Sequence, residues 1–264
     1  MEANEYLREF YGAHDEDARL ASRHGSVEFL TTMRYIERYL KPGGRVIEIG
    51  AGTGRYAHAL ARQGYAVDAI ELLERHVGAF EQNTQPGERV TVTQGDALDL
   101  TGFADNTYDL TLLLGPLYHL FTKEDKLRAL YEAIRVTKRG GVVFAAYCVS
   151  DGCILDSGFR RGKFDVAAYI ERGLIDPVTF AARSEPKELF ELVRKEQIDE
   201  LMRNFKVTRL HYVAADGYTM HMPEAVDGMD AATFELYLRY HFATCERADM
   251  AGLTSHAIDV FRKG

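Results

Sequence analysis

The sequence predicts an α/β fold in which a mostly parallel sheet of seven strands carries helices on both faces, with additional helical insertions. Between residues 43 and 147, short apolar runs bounded by glycines alternate with segments of helical periodicity. One of these runs leads directly into three alternating glycines at positions 50, 52 and 54. Hydrophobic residues make up 46% and charged residues 27% of the chain, which suits a globular protein with a large core.

Charge and composition restrict the function classes. Asp and Glu outnumber Lys and Arg by 40 to 32, a formal net charge of −8, whereas a broad phosphate-binding face needs basic residues. We therefore expect no nucleic-acid partner. No apolar run approaches the roughly 18 residues of a membrane span, and the first residues lack a signal-peptide pattern, so we expect a cytoplasmic protein without a membrane partner. The three cysteines lack C-x-x-C spacing and are expected to be reduced.

The glycine-rich segment is the most informative part of the sequence. Residues 45–49 fit a strand buried on both faces, and residues 55–61 fit a helix. Gly50, Gly52 and Gly54 thus lie where open α/β sheets bind nucleotides, and glycine lets a ligand approach the backbone closely. The spacing also fits the G-x-G-x-x-G/A dinucleotide fingerprint, so two classes of cofactor remain open at this point, as does a glycine-rich turn that binds no ligand.

An acidic residue follows the next predicted strand. Residues 65–70 form that strand, and Glu71 comes about 20 positions after the glycines. A carboxylate there can accept hydrogen bonds from ribose hydroxyls, which both classes of cofactor carry. Alternatively, Glu71 caps the helix through residues 76–82, and one carboxylate can serve both purposes.

The motif E-x-G-x-G-x-G that begins at Glu48 resembles motif I of the class I S-adenosylmethionine-dependent methyltransferases. The resemblance extends to Gly-Asp-Ala at residues 95–97, after a third strand at residues 89–93. In that family the Asp takes the exocyclic amine of adenine, although Asp96 could instead be only a turn residue. The resemblance implies a Rossmann-like fold, S-adenosylmethionine as cofactor, S-adenosylhomocysteine as product, and these cofactor-binding residues: Glu48, Gly50, Ala51, Gly52, Gly54, Glu71, Leu72, Asp96, Ala97, Leu114 and Gly115.

The segment Gly-Pro-Leu-Tyr-His at residues 115–119 follows a fourth strand at residues 108–114. In the resembled fold it lies beside the transferable methyl group. It lacks the Asn or Asp of the N/D-P-P-Y motif of base-methylating enzymes and looks like that of many bacterial small-molecule methyltransferases. His119 is the leading candidate for a general base, needed only for a hydroxyl, thiol or protonated amine acceptor, or else is a structural residue. Tyr118 is the candidate for orienting the substrate, and outside candidates for the base are His221, His241 and His256.

Segments outside the core are expected to build the acceptor site. They are an N-terminal helical cap at residues 1–41 and lid insertions at residues 151–186 and 214–252, which we expect to cover the carboxyl edge of the sheet. Their aromatic residues favour a small, partly aromatic or apolar acceptor over a polymer. Candidate substrate residues are Tyr11, Tyr147, His221, Tyr237 and His241. His14, Arg23 and His24 are possible ligand contacts, and Arg160 and Arg161 could meet a substrate carboxylate, although solvated surface is the simpler interpretation of all five.

We expect one domain over residues 1–264, with a cofactor-binding core at residues 42–150 and the last strand within residues 253–264. The remaining predicted elements are a helix at 123–135, a fifth strand at 142–147, a helix at 188–205, a sixth strand at 207–213, a helix at 231–247, and a seventh, antiparallel edge strand at 255–261.

Several functional alternatives stay open. No metal-ligand spacing is evident, so we expect no metal site. An NAD-linked oxidoreductase would account for the glycines and Glu71, but not for Asp96 or residues 115–119. An RNA or protein methyltransferase is disfavoured by the charge balance, and a non-catalytic cofactor-binding module would need no acceptor cleft. The acceptor atom, the oligomeric state and the pathway lie beyond the sequence.

Overall fold

The computed structural model describes residues 3–13 and 22–264, with side chains described for residues 5–11 and 22–264. His14 lies outside the described residues. The chain divides into two compact units. The core unit comprises Met33–Ala146, Leu201–Leu210 and Asp259–Gly264, and the second unit comprises the remainder, Met1–Thr32, Tyr147–Glu200 and His211–Ile258. The expectation of a single domain stays a prediction.

Eight strands form the sheet in the described part of the chain, in the order β3-β2-β1-β4-β5-β8-β7, with β6 paired to β5. Their bounds are β1 Arg45–Ile49, β2 Ala66–Glu71, β3 Val90–Gln94, β4 Tyr108–Leu113, β5 Thr137–Val149, β6 Leu192–Val193, β7 Val207–Ala214 and β8 His256–Lys263.

The pairs β3–β2, β2–β1, β1–β4, β4–β5 and β5–β6 are parallel. Strands β1 and β4 lie inside the sheet, and apolar side chains such as Ile47 and Leu112 are fully buried there, as expected for parallel strands covered on both faces. The predicted α/β fold with a mostly parallel sheet is confirmed. Because parallel strands share a direction, the carboxyl ends of β1, β2, β3 and β4 meet at one edge.

The described α-helices are α1 Ala3–Ala13, α2 Arg23–Tyr39, α3 Arg55–Arg62, α4 Glu74–Asn83, α5 Lys123–Val136, α6 Ser150–Cys153, α7 Val166–Glu171, α8 Lys195–Met202, α9 Pro223–Asp227 and α10 Ala231–Thr244. A π-helical stretch, Ile154–Arg160, follows α6. No helix in the described ranges combines the length and the apolar character that crossing a membrane requires.

Two features of the sheet differ from the sequence prediction. The last strand, β8, is antiparallel to β7, since Ala215 N donates to His256 O and Gly264 N donates to Lys206 O. It is not the edge strand that we predicted, because β8 lies between β5 and β7. The sheet also has eight strands rather than seven, the additional one being the two-residue β6.

Strand β6 lies inside the segment for which a helix at residues 188–205 was predicted, so the first part of that helix is wrong. Leu189 has a φ of +72°, a conformation that an α-helix cannot contain. Leu192 and Val193 pair with Cys148 and Val149 of β5. Pairing with a distant strand thus overrides the local helical periodicity, and the helix begins only at Lys195.

Candidate functional site

The turn after β1 has the backbone conformation that its glycines permit. Gly50, Gly52 and Gly54 have φ values of +75°, +57° and +92°, in the left-handed region that favours glycine. The N–H groups of Gly50 and Ala51 both donate to Ile70 O, at 2.8 and 3.0 Å. The turn is therefore held against the carboxyl end of the neighbouring strand β2.

The three glycines differ in what a side chain would meet. A Cβ at Gly50 would lie 2.6 Å from Pro116 Cδ, and one at Gly54 would lie 2.5 Å from His58 Nε2. A Cβ at Gly52 would meet no atom within 4 Å. Packing therefore requires glycine at positions 50 and 54, whereas Gly52 faces open space that a ligand can fill.

Glu71 joins the end of β2 to the glycine turn. Its Oε2 accepts from Gly52 N at 2.8 Å, and its Oε1 accepts from Leu73 N at 2.9 Å. Burial acts to raise its pKa, but hydrogen bonds from His76, Leu73 and Gly52 outweigh burial and hold the pKa below its usual range. The group is thus an anion at neutral pH, and Oε2, which has one donor, keeps a lone pair for a further donor such as a ribose hydroxyl.

The end of β3 meets the same carboxyl edge. Gly95 N donates to Glu71 O at 3.0 Å, which places Asp96 beside the end of β2. Asp96 Oδ1 accepts from Leu98 N at 2.9 Å, so this residue does shape a turn, as the alternative interpretation held. In the described part of the chain Oδ2 has no hydrogen-bond partner, and a turn residue of this kind can still accept from an amine through that oxygen.

Glu48, the first residue of the glycine motif, is buried in β1. Its Oε2 accepts from Ala57 N, in the first turn of α3, at 2.9 Å. Burial raises its pKa to about 8, against the lowering effect of the Ala57 N–H and with a smaller contribution from the charge of Glu71. The carboxyl group is therefore mainly protonated at neutral pH, which removes the cost of a buried charge.

The segment after β4 packs on the glycine turn. A Cβ at Gly115 would lie 3.2 Å from Gly50 O, and Pro116 contacts Gly50 as described above. Pro116 also begins a 3-10 turn, Pro116–His119. Together with the hydrogen bonds of Glu71 and Gly95, this contact brings four predicted features to one carboxyl edge of the core unit, namely the glycine turn, Glu71, residues 95–97 and residues 115–119.

Tyr118 and His119 lie at the end of that 3-10 turn. Tyr118 OH donates to Leu114 O at 2.9 Å, so its one proton is engaged and toward any other group the oxygen can act only as an acceptor. The two rings meet edge to face with centroids 4.9 Å apart. A base role for His119 and a substrate-orienting role for Tyr118 stay predictions.

The remaining geometry of the core unit fits an adenine nucleoside carrying positive charge. Gly52 leaves space beside the backbone, Glu71 supplies an ionised carboxylate, and Asp96 keeps an acceptor oxygen at the end of the next strand. His76, whose Nδ1 is 3.5 Å from Glu71 Oε1, supports this carboxylate. Sequence reasoning missed His76, although its place five residues after Glu71 in the following helix is a usable signal.

The second unit contains the residues predicted to bind the acceptor. His241 is buried and its Nε2 is 2.9 Å from Thr31 Oγ1. Burial is the largest influence on His241 and holds its pKa below the usual value. Tyr237 OH is 2.8 Å from Thr219 Oγ1, and His221 Nε2 is 2.5 Å from Leu253 O. Each of these groups therefore has a partner within the second unit.

Other predicted residues in the second unit have less specific environments. Tyr147 is buried and Tyr11 is half-buried. Roles for all five of the predicted acceptor residues stay predictions. Arg160 and Arg161 are not simply solvated surface, because both form ion pairs with the buried carboxylate of Asp156.

Arg23 and His24 at the start of α2 also differ from the solvated surface that the sequence favours. Arg23 Nη1 donates to Asp227 O at 3.2 Å, and His24 Nδ1 is 2.7 Å from Asp227 Oδ2. Both residues therefore hold the end of α9 within the second unit, which gives them a structural role that sequence alone did not predict.

Comparison with known proteins identifies a matching family for the core of the chain. Residues 46–141 match the family model of the methyltransferase domain. The chain is 29% identical over 161 residues to a glycine/sarcosine N-methyltransferase of Aphanothece halophytica, covering 60% of this chain and 58% of that protein. It is 32% identical over 128 residues to a ubiquinone biosynthesis O-methyltransferase of Methylocella silvestris, covering 48% of each. The chain thus spans about half the length of the curated relatives it matches.

A solved structure shows the same fold. A SAM-dependent methyltransferase from Thermotoga maritima superposes with a TM-score of 0.56 and 18% identity, over 100% of both chains. At that identity the likeness concerns the fold alone, and it supports the Rossmann-like architecture derived above.

Proposed function

Since the chain belongs to the class I S-adenosylmethionine-dependent methyltransferases, with S-adenosylmethionine as its cofactor, we propose that it transfers the methyl group of this cofactor to a small acceptor molecule. Both curated relatives described above carry names of small-molecule methyltransferases, which supports an acceptor of this class.

One observation carries the proposal. The ionised carboxylate of Glu71 accepts a hydrogen bond from Gly52 N, and the backbone oxygen of Glu71 accepts one from Gly95 N. The glycine turn, Glu71 and the segment that contains Asp96 are therefore contiguous, as one nucleoside-containing cofactor requires. An NAD-linked oxidoreductase would need the first two features, but not an acceptor at Asp96.

The cofactor, when bound, supplies an electrophilic methyl group on a sulfonium, which a nucleophile takes up by in-line displacement. The residues of the chain bind and orient it. Gly52 leaves room for it, Glu71 is suited to hold the ribose, and Asp96 Oδ2 is suited to accept from the adenine amine. His119 is the proposed base for acceptors that must lose a proton, and Tyr118 can accept a hydrogen bond from the acceptor through its oxygen.

The acceptor is proposed to be small and partly aromatic or apolar. The net charge of −8 disfavours RNA, and the aromatic residues of the second unit, including Tyr147 and Tyr237, favour an enclosed apolar pocket. One relative is named for an amine acceptor and the other for an oxygen acceptor. Small amines and phenols are therefore the first acceptors to test.

Calorimetry tests the cofactor. We expect S-adenosylhomocysteine to bind the purified chain with one site and NAD to show no binding. A chain that prefers NAD, or that binds neither compound, would contradict the proposal.

A labelled-methyl assay tests the reaction. The chain is incubated with S-adenosylmethionine carrying an isotopic methyl group and with sets of amines, phenols, thiols and carboxylates, and products are identified by mass spectrometry. We expect a labelled small-molecule product. Binding of S-adenosylhomocysteine without any labelled product across these sets and across RNA and protein fractions would indicate a non-catalytic cofactor-binding module. Label found only in RNA or protein would indicate a polymer methyltransferase.

A further inference from the structure

Three side chains with metal-binding atoms meet in the second unit, although they are far apart in sequence. Glu28 lies in α2, Asp216 follows β7 and His256 begins β8. His256 Nδ1 is 2.8 Å from Asp216 Oδ2 and 3.6 Å from Glu28 Oε2, and one ligand atom from each residue lies within 4.8 Å of the others. We propose that these three side chains form a binding site for a divalent transition-metal ion.

The donor set is chemically suited to such an ion. One imidazole nitrogen and two carboxylate oxygens are ligands that Zn²⁺, Mn²⁺, Fe²⁺ and Co²⁺ accept. Bonds of about 2.0 to 2.2 Å place neighbouring donor atoms roughly 3 to 3.5 Å apart, and the separations from His256 Nδ1 of 2.8 and 3.6 Å are close to this range. Three protein ligands leave further coordination positions for water or another small ligand.

Asp216 is held with one oxygen directed at the proposed ion. Its buried Oδ1 accepts from Ser255 N at 2.9 Å, from His256 N at 3.3 Å and from the hydroxyl of Thr254. Oδ2 remains for His256. Hydrogen bonds of this kind fix the orientation of a ligating carboxylate and are a regular part of metal sites.

The charges around His256 favour a cation. Two carboxylates face the same imidazole nitrogen, so even a protonated imidazole leaves one negative charge of the three groups uncompensated. Asp216 is buried and the other two residues are partly buried, and buried charges in proteins are paired or bind metals. A divalent ion would displace the proton on Nδ1 and compensate both carboxylates.

Titration of the metal-free chain with ZnCl₂ tests the site. We expect one Zn²⁺ per chain for the wild type, and binding weakened at least tenfold by Glu28→Gln and by His256→Ala. The matched control is His211→Ala, because His211 Nδ1 lies 2.6 Å from Glu246 Oε2 in a His–carboxylate pair of the second unit, and the described residues supply no third grouped ligand there. We expect this control to bind Zn²⁺ like the wild type.

Glu28→Gln is the deciding variant, because it keeps the side-chain shape, whereas His256→Ala changes the first residue of β8 and can disturb that strand. Thermal unfolding gives a second readout, since Zn²⁺ should raise the melting temperature of the wild type and of His211→Ala, but much less that of Glu28→Gln. A wild type that does not bind Zn²⁺, or a Glu28→Gln variant that binds it equally well, would overturn the proposal. Binding of S-adenosylhomocysteine by each variant is measured separately, so this test does not depend on the proposed methyl transfer.

Discussion

Glu71 accepts a hydrogen bond from Gly52 N at 2.8 Å across the ends of two parallel strands. The same residue accepts from Gly95 N through its backbone oxygen, so the ends of β1, β2 and β3 are linked through one acidic residue. Its carboxylate is buried, yet the hydrogen bonds keep its pKa low. This arrangement fixes an anion beside the open space at Gly52 before any ligand binds, which is the preorganisation that a binding site requires.

The open space at Gly52 predicts a specific loss of cofactor binding. Gly52→Ala should weaken S-adenosylhomocysteine binding at least tenfold, because the methyl group would occupy ligand space, and should cost about 1 kcal/mol of stability from its positive φ. Gly64→Ala is the matched control, since Gly64 also has a positive φ and open surroundings, but lies in the turn before β2. Calorimetry and urea unfolding measure both effects. Equal affinities of the two variants would contradict a ligand role for Gly52.

Removing the charge of Glu71 should weaken cofactor binding without unfolding the protein. Glu71→Gln keeps an oxygen acceptor but loses the anion that accepts from Gly52 N and Leu73 N, so we expect a roughly tenfold or greater loss of S-adenosylhomocysteine affinity. The exposed Glu74→Gln at the start of α4 is the control and should bind normally. If both variants bind like the wild type, Glu71 does not contact the cofactor.

Glu48 should make the stability fall as the pH rises. Its pKa is about 8 in the folded chain against 4.5 for an ordinary Glu. Below pH 4.5 Glu48 is protonated in both the folded and the unfolded chain, so the free energy of unfolding is not reduced. Between pH 4.5 and 8 the unfolded chain releases its proton first, so the free energy of unfolding decreases, and above about pH 8 the loss is complete.

Glu48→Gln should remove this pH dependence. Between pH 5 and 8.5 we expect the free energy of unfolding of the wild type to fall by on the order of 2 to 4 kcal/mol more than that of the variant, as measured by urea unfolding. The exposed Glu81→Gln in α4 should follow the wild type. Parallel pH curves for the wild type and Glu48→Gln would show that the buried carboxyl group is ionised at neutral pH.

Arg135 should be a major source of stability in the core unit. Its guanidinium donates to both oxygens of Glu132 at 2.8 Å, and to the backbone oxygens of Leu100 and Phe103. Arg135→Met would leave the buried Glu132 without its charged partner and should lower the free energy of unfolding by about 2 to 4 kcal/mol. The exposed Arg139→Met should change it by less than about 0.5 kcal/mol. A small effect of Arg135→Met in guanidinium unfolding would refute this role.

The base role of His119 predicts an effect on turnover and not on cofactor binding. With an acceptor that must lose a proton, His119→Ala should lower kcat by roughly 100-fold and remove the decrease in rate on the acidic side of the pH profile. Its affinity for S-adenosylhomocysteine should equal that of the wild type. Unchanged turnover at every pH would leave His119 with a structural role.

The sequence by itself determined the core of this protein. The predicted strands at residues 45–49, 65–70, 89–93 and 108–114 agree with the observed β1 to β4 to within one residue at each end. The glycine turn and Glu71 also lie where the pattern placed them. These features are local, because apolar periodicity, the φ range of glycine and the position of an acid after a strand depend on neighbouring residues.

The tertiary structure decided what depends on distant residues. Strand β6 forms because Leu192 and Val193 pair with β5. Strand β8 lies inside the sheet because it inserts between β5 and β7. Tyr118 OH donates its hydrogen bond to Leu114 O, which the residue spacing in the sequence does not predict. The proposed metal ligands Glu28, Asp216 and His256 lie far apart in the chain, so ligand spacing in the sequence predicted no metal site. Contacts of this kind depend on how the whole chain folds, and local sequence patterns do not predict which residues distant in the chain come into contact.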